Sequence, residues 1–241
     1  MKKLASQEYW TGLERDAPKE RHPFLFGKLF KKYLPNGKGK VVFEIGCAPG
    51  TMLAPMCAEL GYFPEGIDYD KKTRRITSKT LELYGFKKYR LYEADFFKWK
   101  PKKKYDIVCS FGFIEHFDDP SEIIRKQVEM TKKDGIVIIE VPNFSGIRGK
   151  IHSIVDKENL SRHNTSIMNK KFFKNVAKKH NLRILHLDYS GGFNINWENH
   201  NPKLYQKMIY YPLKIIGMVT KRIPLKSRIS PFIVMIARKP Y

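Results

Sequence analysis

Apolar residues along the chain fall into short unbroken runs, separated by stretches where they recur every three or four positions. The first pattern predicts buried strands and the second amphipathic helices. Phe24, Leu25, Leu29, Phe30, Tyr33 and Leu34 keep helical spacing, and Pro35-Asn36-Gly37 stops that helix. VVFEIG (41–46) then reads as a compact strand. TMLAPMCAEL (51–60) predicts a helix in which Pro55 is tolerable near the first turn and Gly61 is the stop. YFPEGID (62–68) is a second strand, 70–85 a helix ended by Gly85, and YRLYEAD (89–95) a third strand. YDIVCSFGF (105–113) is the fourth, followed by a helix near 119–131. Lys133-Asp134-Gly135 turns into IVIIEVP (136–142), the fifth strand. Residues 143–168 show no clear period and are expected to be irregular. Asn169 caps a helix running to about His180, and RILHLDYS (183–190) and PFIVMIARK (231–239) supply two more strands across a long insert.

Fully apolar strands alternating with helices predict an α/β fold, a doubly wound and mostly parallel sheet covered on both faces. No repeat or linker divides the chain, so 1–241 is expected as one domain, with 1–40 a helical cap and 143–168 and 193–230 two inserts. Such a sheet takes its ligands beyond the carboxyl ends of its strands, where strand order reverses. The places to read for chemistry are therefore 46–50, 68, 95, 110–116 and the chain from 142 onward.

Composition changes this picture only in part. Hydrophobic residues make up 42% and aromatics 13% of 241 residues, which excludes a disordered chain despite a net charge of +22. That charge is uneven. Residues 71–104 hold 13 basic and 3 acidic side chains, and 201–241 hold 9 basic and no acidic ones. Lys outnumbers Arg 34 to 12, whereas bidentate recognition of phosphate and guanine favours Arg. A nucleic-acid partner is thus less favoured than solvated basic faces. No run of eighteen apolar residues predicts a membrane span, and MKKLASQEYW lacks the apolar segment of a secretory signal. Cys47, Cys57 and Cys109 match neither a disulfide framework nor a zinc spacing, so a reducing cytoplasm and no metal are expected.

The strand ends carry the candidate chemistry. Glu44-Ile-Gly46-Cys47-Ala-Pro-Gly50 forms the first turn, where two glycines permit positive φ and close approach of backbone to a ligand. It departs from GxGxxG at Ala48 and Thr51, which disfavours a pyrophosphate grip. Asp68, 24 residues after Glu44, is placed to accept hydrogen bonds from both hydroxyls of a ribose. Asp95 can accept from an amino group, and the Phe96 ring can cover a flat base. Each is weak alone, since Asp also ends strands and caps helices. Together, after strands one, two and three, they suit an adenosine without phosphates.

These residues resemble the class I S-adenosylmethionine-dependent methyltransferases, well over 40–142 and more loosely over 169–192 and 231–239. The resemblance implies a Rossmann-like seven-stranded sheet with an antiparallel last strand, and S-adenosyl-L-methionine as cofactor. It places the turn from Glu44 through Gly46 and Cys47 to Gly50 at the methionine end, Asp68 on the ribose with Tyr69 beside the adenine, and Asp95 with Phe96 near the adenine amino group. Ser110-Phe111-Gly112-Phe113-Ile114-Glu115-His116-Phe117 is similar to the segment after strand four in small-molecule methyltransferases. The tail region is also similar, less specifically, to enzymes of surface-polysaccharide pathways.

Methyl transfer asks a protein mainly to align the acceptor, worth roughly 7–11 kcal/mol, and a hydroxyl acceptor gains about 10²–10⁴ from a base. His163 and His116 are the candidate bases, and each could equally be a packed or exposed histidine. Tyr9 and Trp10 suit either a lid or an anchored arm. Asn143, Arg148, His152, Arg162 and Asn164 form a polar set fit for the hydroxyls or the phosphate of an acceptor such as a glycan precursor. The absence of a Pro-Cys pair or an Asn/Asp-Pro-Pro-aromatic motif after strand four counts against cytosine-C5 and amino-group methylators. An RNA methyltransferase and a non-catalytic cofactor-binding subunit remain the rivals. Residues 201–230 mix apolar with basic side chains, which suits a helix lying on an anionic membrane face, or one packing on the domain or pairing two subunits.

Overall fold

The computed structural model describes residues 2–6, 9–10, 16–69, 71–195, 202–220 and 229–240. The run VVFEI forms β1 (Val41–Ile45), with parallel partners on both edges: β2 (Phe63–Asp68) and β4 (Tyr105–Phe111). β3 (Arg90–Glu93) lies outside β2, and β5 (Thr131–Pro142) continues the parallel sheet beside β4. β7 (Phe232–Arg238) then inserts antiparallel between β5 and β6 (Arg183–Ser190). The order β3-β2-β1-β4-β5-β7-β6 reverses between β1 and β4, which opens a crevice at their carboxyl ends. This is the mostly parallel seven-stranded sheet expected from the sequence.

Both faces are covered because the central strands are apolar on both sides. On one face α1 (Gly27–Tyr33) and α2 (Leu53–Leu60) bring Phe30, Leu53 and Met56 onto Val42, Ile107, Ile138 and Val234. α3 (Lys71–Leu83) adds Leu81 there. On the other, α4 (Ser121–Met130) and α7 (Lys170–Lys179) set Ile123, Val128 and Phe173 on Phe43, Val137, Ile139 and Met235. Local signals act as expected: Gly61 ends α2 with φ 77°, and the Asn169 side chain accepts from the Phe172 N–H at 2.9 Å to cap α7.

Two expectations need correction. β5 starts at Thr131 instead of Ile136, because Thr131 already pairs with Tyr105 and the strand continues through a register shift opposite Tyr105–Ile107, where Asp134 takes a left-handed turn at φ 57°. Residues 143–168 are not irregular. They fold into α5 (Gly146–Val155), α6 (Lys157–Ser161) and a 3₁₀ turn at Thr165–Ile167. Gly146 and Gly149 lower helix propensity and blur the apolar period. Packing decides instead: a Cβ on Gly149 would stand 2.3 Å from the Phe144 carbonyl oxygen, so only glycine lets this helix close on the chain that precedes it. After β6 the insert supplies α8 (Leu204–Thr220), and its parts at 196–201 and 221–228 lie outside the described residues.

A buried amide ties α4 to the sheet. Gln127 donates to the Val108 and Ile138 carbonyls at 3.1 and 2.9 Å and accepts from the Ser110 hydroxyl at 3.2 Å. Gln127→Leu strands all three groups away from water, so urea unfolding should show a loss of about 1–3 kcal/mol. Unchanged stability would remove this clamp from the account.

Candidate functional site

The first turn is held against β2 from below. Gly46 and Cys47 both donate their N–H to the Ile67 carbonyl, at 2.9 and 3.2 Å, and Ala48 N–H donates to Asp68 Oδ2 at 3.2 Å. Asp68 Oδ1 accepts from Tyr69 N–H at 2.8 Å. One carboxylate therefore fixes both the end of β2 and the loop after β1. Gly46 has φ 72°, and a Cβ there would lie 2.6 Å from the Phe113 ring. The turn after β4 thus packs directly on the turn after β1. Asp95 Oδ1 accepts from Phe97 N–H at 2.9 Å, which aims the Phe96–Phe97 turn at the same crevice.

These turns enclose a cavity of about 190 Å³. Gly46, Asp68, Tyr69, Asp95, Phe96, Phe111 and His116, all expected from the sequence, line it. Glu44, Cys47 and Gly50 do not. Cys47 is buried and contributes its backbone, its thiol pushed up by burial and by the charges of Asp68 and Glu44. Gly50 instead lets α3 approach, since a Cβ there would meet Thr77 and Thr80 at 3.2 Å.

Sequence reasoning missed two parts of the wall. Phe97, Phe113 and Phe117 add an aromatic side, whose only signal was the density of phenylalanine around positions already singled out. Lys3 and Ala5 come from the N-terminal arm, beside Trp10, which the sequence offered as part of a lid or an anchored arm. That arm is tied down by the bonds Leu4 N–H to His116 O at 2.8 Å and Lys2 N–H to Asp118 Oδ1 at 2.7 Å. Trp10 meets His116 edge-on at 4.7 Å, and Tyr9 lies under the Arg162 guanidinium at 4.1 Å. Lys3 carries no local sequence signal that could have found it.

The histidines divide. His116 is buried in the cavity wall, its Nδ1 2.9 Å from the Arg162 carbonyl. His163 stands behind it, outside the lining, with ring centroids 4.5 Å apart and its Nδ1 2.7 Å from the Asn159 carbonyl. A carbonyl can only accept, so both rings carry their proton on Nδ1 in the neutral form. Glu115, His116 and His163 place one donor atom each within 4.8 Å of one another, a spacing that could hold a metal ion.

The polar set of 143–162 lies elsewhere. Asn143 donates to the Ser230 carbonyl at 2.9 Å, and Arg148 donates to the carbonyls of Asn143 and Ile229 at 2.8 and 3.3 Å. His152 is fully buried against Phe144, and burial with the Arg148 charge pushes it down to about 4. Arg162 pairs with Glu158 at 3.0 Å. None of the four lines the cavity.

Beneath the cavity sit three buried carboxyls. Glu140 Oε2 accepts from Gly112 N–H at 3.0 Å, while Glu44 Oε2, Glu115 Oε2 and Glu140 Oε1 have no hydrogen-bond partner. Burial pushes Glu44 up, helped by the Asp68 charge, pushes Glu115 up, helped by Glu140, and lifts Glu140 to about 8. Such a floor suits a ligand that brings positive charge and hydrogen-bond donors.

Comparison with known proteins agrees with this geometry. The profile of a family described as a methyltransferase domain matches residues 10–187. Ubiquinone biosynthesis O-methyltransferase of Pelagibacter ubique is 28% identical over 167 residues, 64% of this chain and 65% of that protein. The tRNA U34 carboxymethyltransferase of Desulfotalea psychrophila is 27% identical over 126 residues, 48% of this chain and 37% of its own length. The chain thus spans less than two thirds of either relative. Among solved structures, a SAM-dependent methyltransferase from Archaeoglobus fulgidus has TM-score 0.56 at 20% identity, covering 89% of this chain and 93% of that one. Magnesium protoporphyrin IX methyltransferase from Synechocystis, with bound SAH, has TM-score 0.58 at 13% identity, covering 88% and 80%. At these identities the structures speak for the fold alone.

The carboxyl floor has a measurable signature. Glu140 keeps its proton in the folded chain up to about 8, whereas the unfolded chain releases it near the usual 4.5. Its contribution to stability is full below the unfolded value and is lost as pH rises through the folded one. The melting temperature should fall from about pH 5 to about pH 9, and less steeply in Glu140→Gln, which still accepts from Gly112. Identical slopes in both proteins would refute the assignment.

Proposed function

The chain belongs to the methyltransferase-domain family, and we propose that it is an S-adenosylmethionine-dependent O-methyltransferase whose acceptor hydroxyl sits on a ring, such as the sugar of a glycan precursor. The observation that carries this reading is one cavity with Asp68 and Asp95 on one side and a backbone-oriented His116 among aromatic rings on the other.

When bound, S-adenosylmethionine supplies a methyl group on a positively charged sulfur, activated for transfer. The residues present fit it. Asp68 would accept from the ribose hydroxyls, Asp95 would take the adenine amino group with Phe96 on the ring, and Tyr69 would close that end. The bare Gly46 backbone leaves room at the methionine end, and the unpartnered oxygens of Glu44 and Glu140 beneath it favour positive charge.

On the acceptor side, the Arg162 carbonyl holds the Nδ1 proton of His116 and leaves Nε2 as the nitrogen that takes a proton from a hydroxyl. Glu115 Oε1 is 3.7 Å from Nε2, and burial pushes that carboxyl up, which weakens its hold on a charged His116. His163, behind His116, acts through it as a positioning residue. Trp10, Phe113 and Phe117 exclude water and offer flat apolar faces to a sugar or phenol ring. With Arg148 engaged by backbone, Lys3 is the cation in the wall that can meet an anionic group of the acceptor. The name of the Pelagibacter relative supports oxygen as the accepting atom.

Labelled cofactor offered with sugar phosphates, nucleotide sugars, phenols or RNA tests the acceptor. Label on a ring hydroxyl of a small molecule is expected. Transfer only to RNA, with binding that falls steeply with salt, would replace the reading with the nucleic-acid one. His116→Ala should lower kcat by about 10²–10⁴ with cofactor affinity retained, and His163→Ala by less. A fully active His116→Ala enzyme removes the base. Asp68→Ala should weaken cofactor binding by about tenfold or more at an intact fold, measured by calorimetry.

A further inference from the structure

α8 is a helix with apolar side chains on the wrong side. Its inner face is accounted for: Gly217 is buried against the Phe193 carbonyl, and Gln206 donates to the Ile154 and Val155 carbonyls, both at 3.1 Å. A helix whose role ends with that packing presents polar residues outward. Here Leu204, Met208, Tyr211, Ile215 and Val219, spaced four, three, four and four apart, form one exposed stripe, with Met208 67% and Val219 74% exposed. The stripe runs about 22 Å at 1.5 Å per residue. α5, which packs against α8, adds exposed Ile147 and Ile154. Among the described residues of this chain no other surface gathers as many large apolar side chains.

The charge beside the stripe identifies what covers it. Lys203, just before α8, and Lys207 and Lys214 on it are exposed, and residues 203–220 contain no acidic side chain. Two copies of this chain meeting through α8 would bring lysines to lysines with no carboxylate to pair them. An anionic lipid surface meets both demands at once, taking the stripe into its acyl boundary and the ammonium groups to its phosphates. We propose that α8 is a membrane-docking helix that seats the protein on a bilayer rich in anionic phospholipid, parallel to the surface. No helix among the described residues is long and apolar enough to cross a membrane, which agrees with a helix that lies on one. α5 leaves the carboxyl end of β5, so the docked face borders the edge of the sheet that holds the cavity. The inference stands on the surface of α8 and is independent of the atom that is methylated.

The test is sedimentation of the full chain with phosphatidylglycerol–phosphatidylcholine vesicles and with phosphatidylcholine alone, across a salt series. Binding to the anionic vesicles, weakened by salt and slight on phosphatidylcholine, is the expected result. Lys207→Gln with Lys214→Gln should lower partitioning by about thirtyfold, the loss of two surface lysines. Met208→Glu with Ile215→Glu should abolish it while melting temperature and S-adenosylmethionine affinity stay unchanged, because both side chains face outward. Failure to bind anionic vesicles overturns the proposal, as does undiminished binding by the Met208→Glu, Ile215→Glu chain. A dimer that this double substitution dissociates, in a protein that ignores vesicles, would assign the stripe to a second copy instead.

Discussion

Gly46 and Phe113 meet so closely that one added carbon on the glycine would overlap the ring, and that contact sets the shape of the carboxyl edge. It joins the turn after β1 to the turn after β4 across the point where strand order reverses. The crevice there is consequently narrow at its base and lined by backbone, which side chains from three directions can then furnish. Asp68 braces the β2 side through Ala48 and Tyr69, and Glu140 braces the β4 side through Gly112. Remove the close approach and both carboxylates lose the loops they organise.

The same contact explains an electrostatic oddity. Closing the two turns buries Glu44, Glu115 and Glu140 without enough donors to satisfy them. A buried unpaired carboxylate is costly, so burial pushes all three carboxyls up toward the protonated form. A cationic ligand above the floor offsets the cost, which ties the strength of cofactor binding to a feature that reduces the stability of the unliganded chain.

How much of this was legible depended on the kind of force involved. Strands came through clearly, because VVFEI and IVIIEVP are buried on both faces and each is apolar but for one glutamate, Glu44 and Glu140. The place of Gly46, Asp68 and Asp95 in the cavity wall was legible for a related reason: they sit at or just after strand ends, and strand ends are fixed by the sheet. The surroundings of residues 143–162 were not. Arg148 and His152 looked like substrate contacts, but their partners are carbonyls and rings of the chain itself, Asn143, Ile229 and Phe144, which local pattern cannot reveal. Trp10 and Lys3 reach the cavity through backbone pairing between residues 2–4 and 116–118, a contact spanning more than a hundred positions. α5 was missed because its two glycines answer to tertiary fit and not to helix propensity.

The place of β7 has a consequence in time. Among the described residues it is the last strand in sequence, yet it lies inside the sheet and is the one strand paired with β6. While the protein is being made, β5 and β6 therefore wait with open edges until residues near 238 have left the ribosome. Pairing of such distant segments is slow and exposes apolar edges meanwhile. The nascent chain is most at risk in that interval, and anything that delays or shortens its final stretch leaves two edges open together.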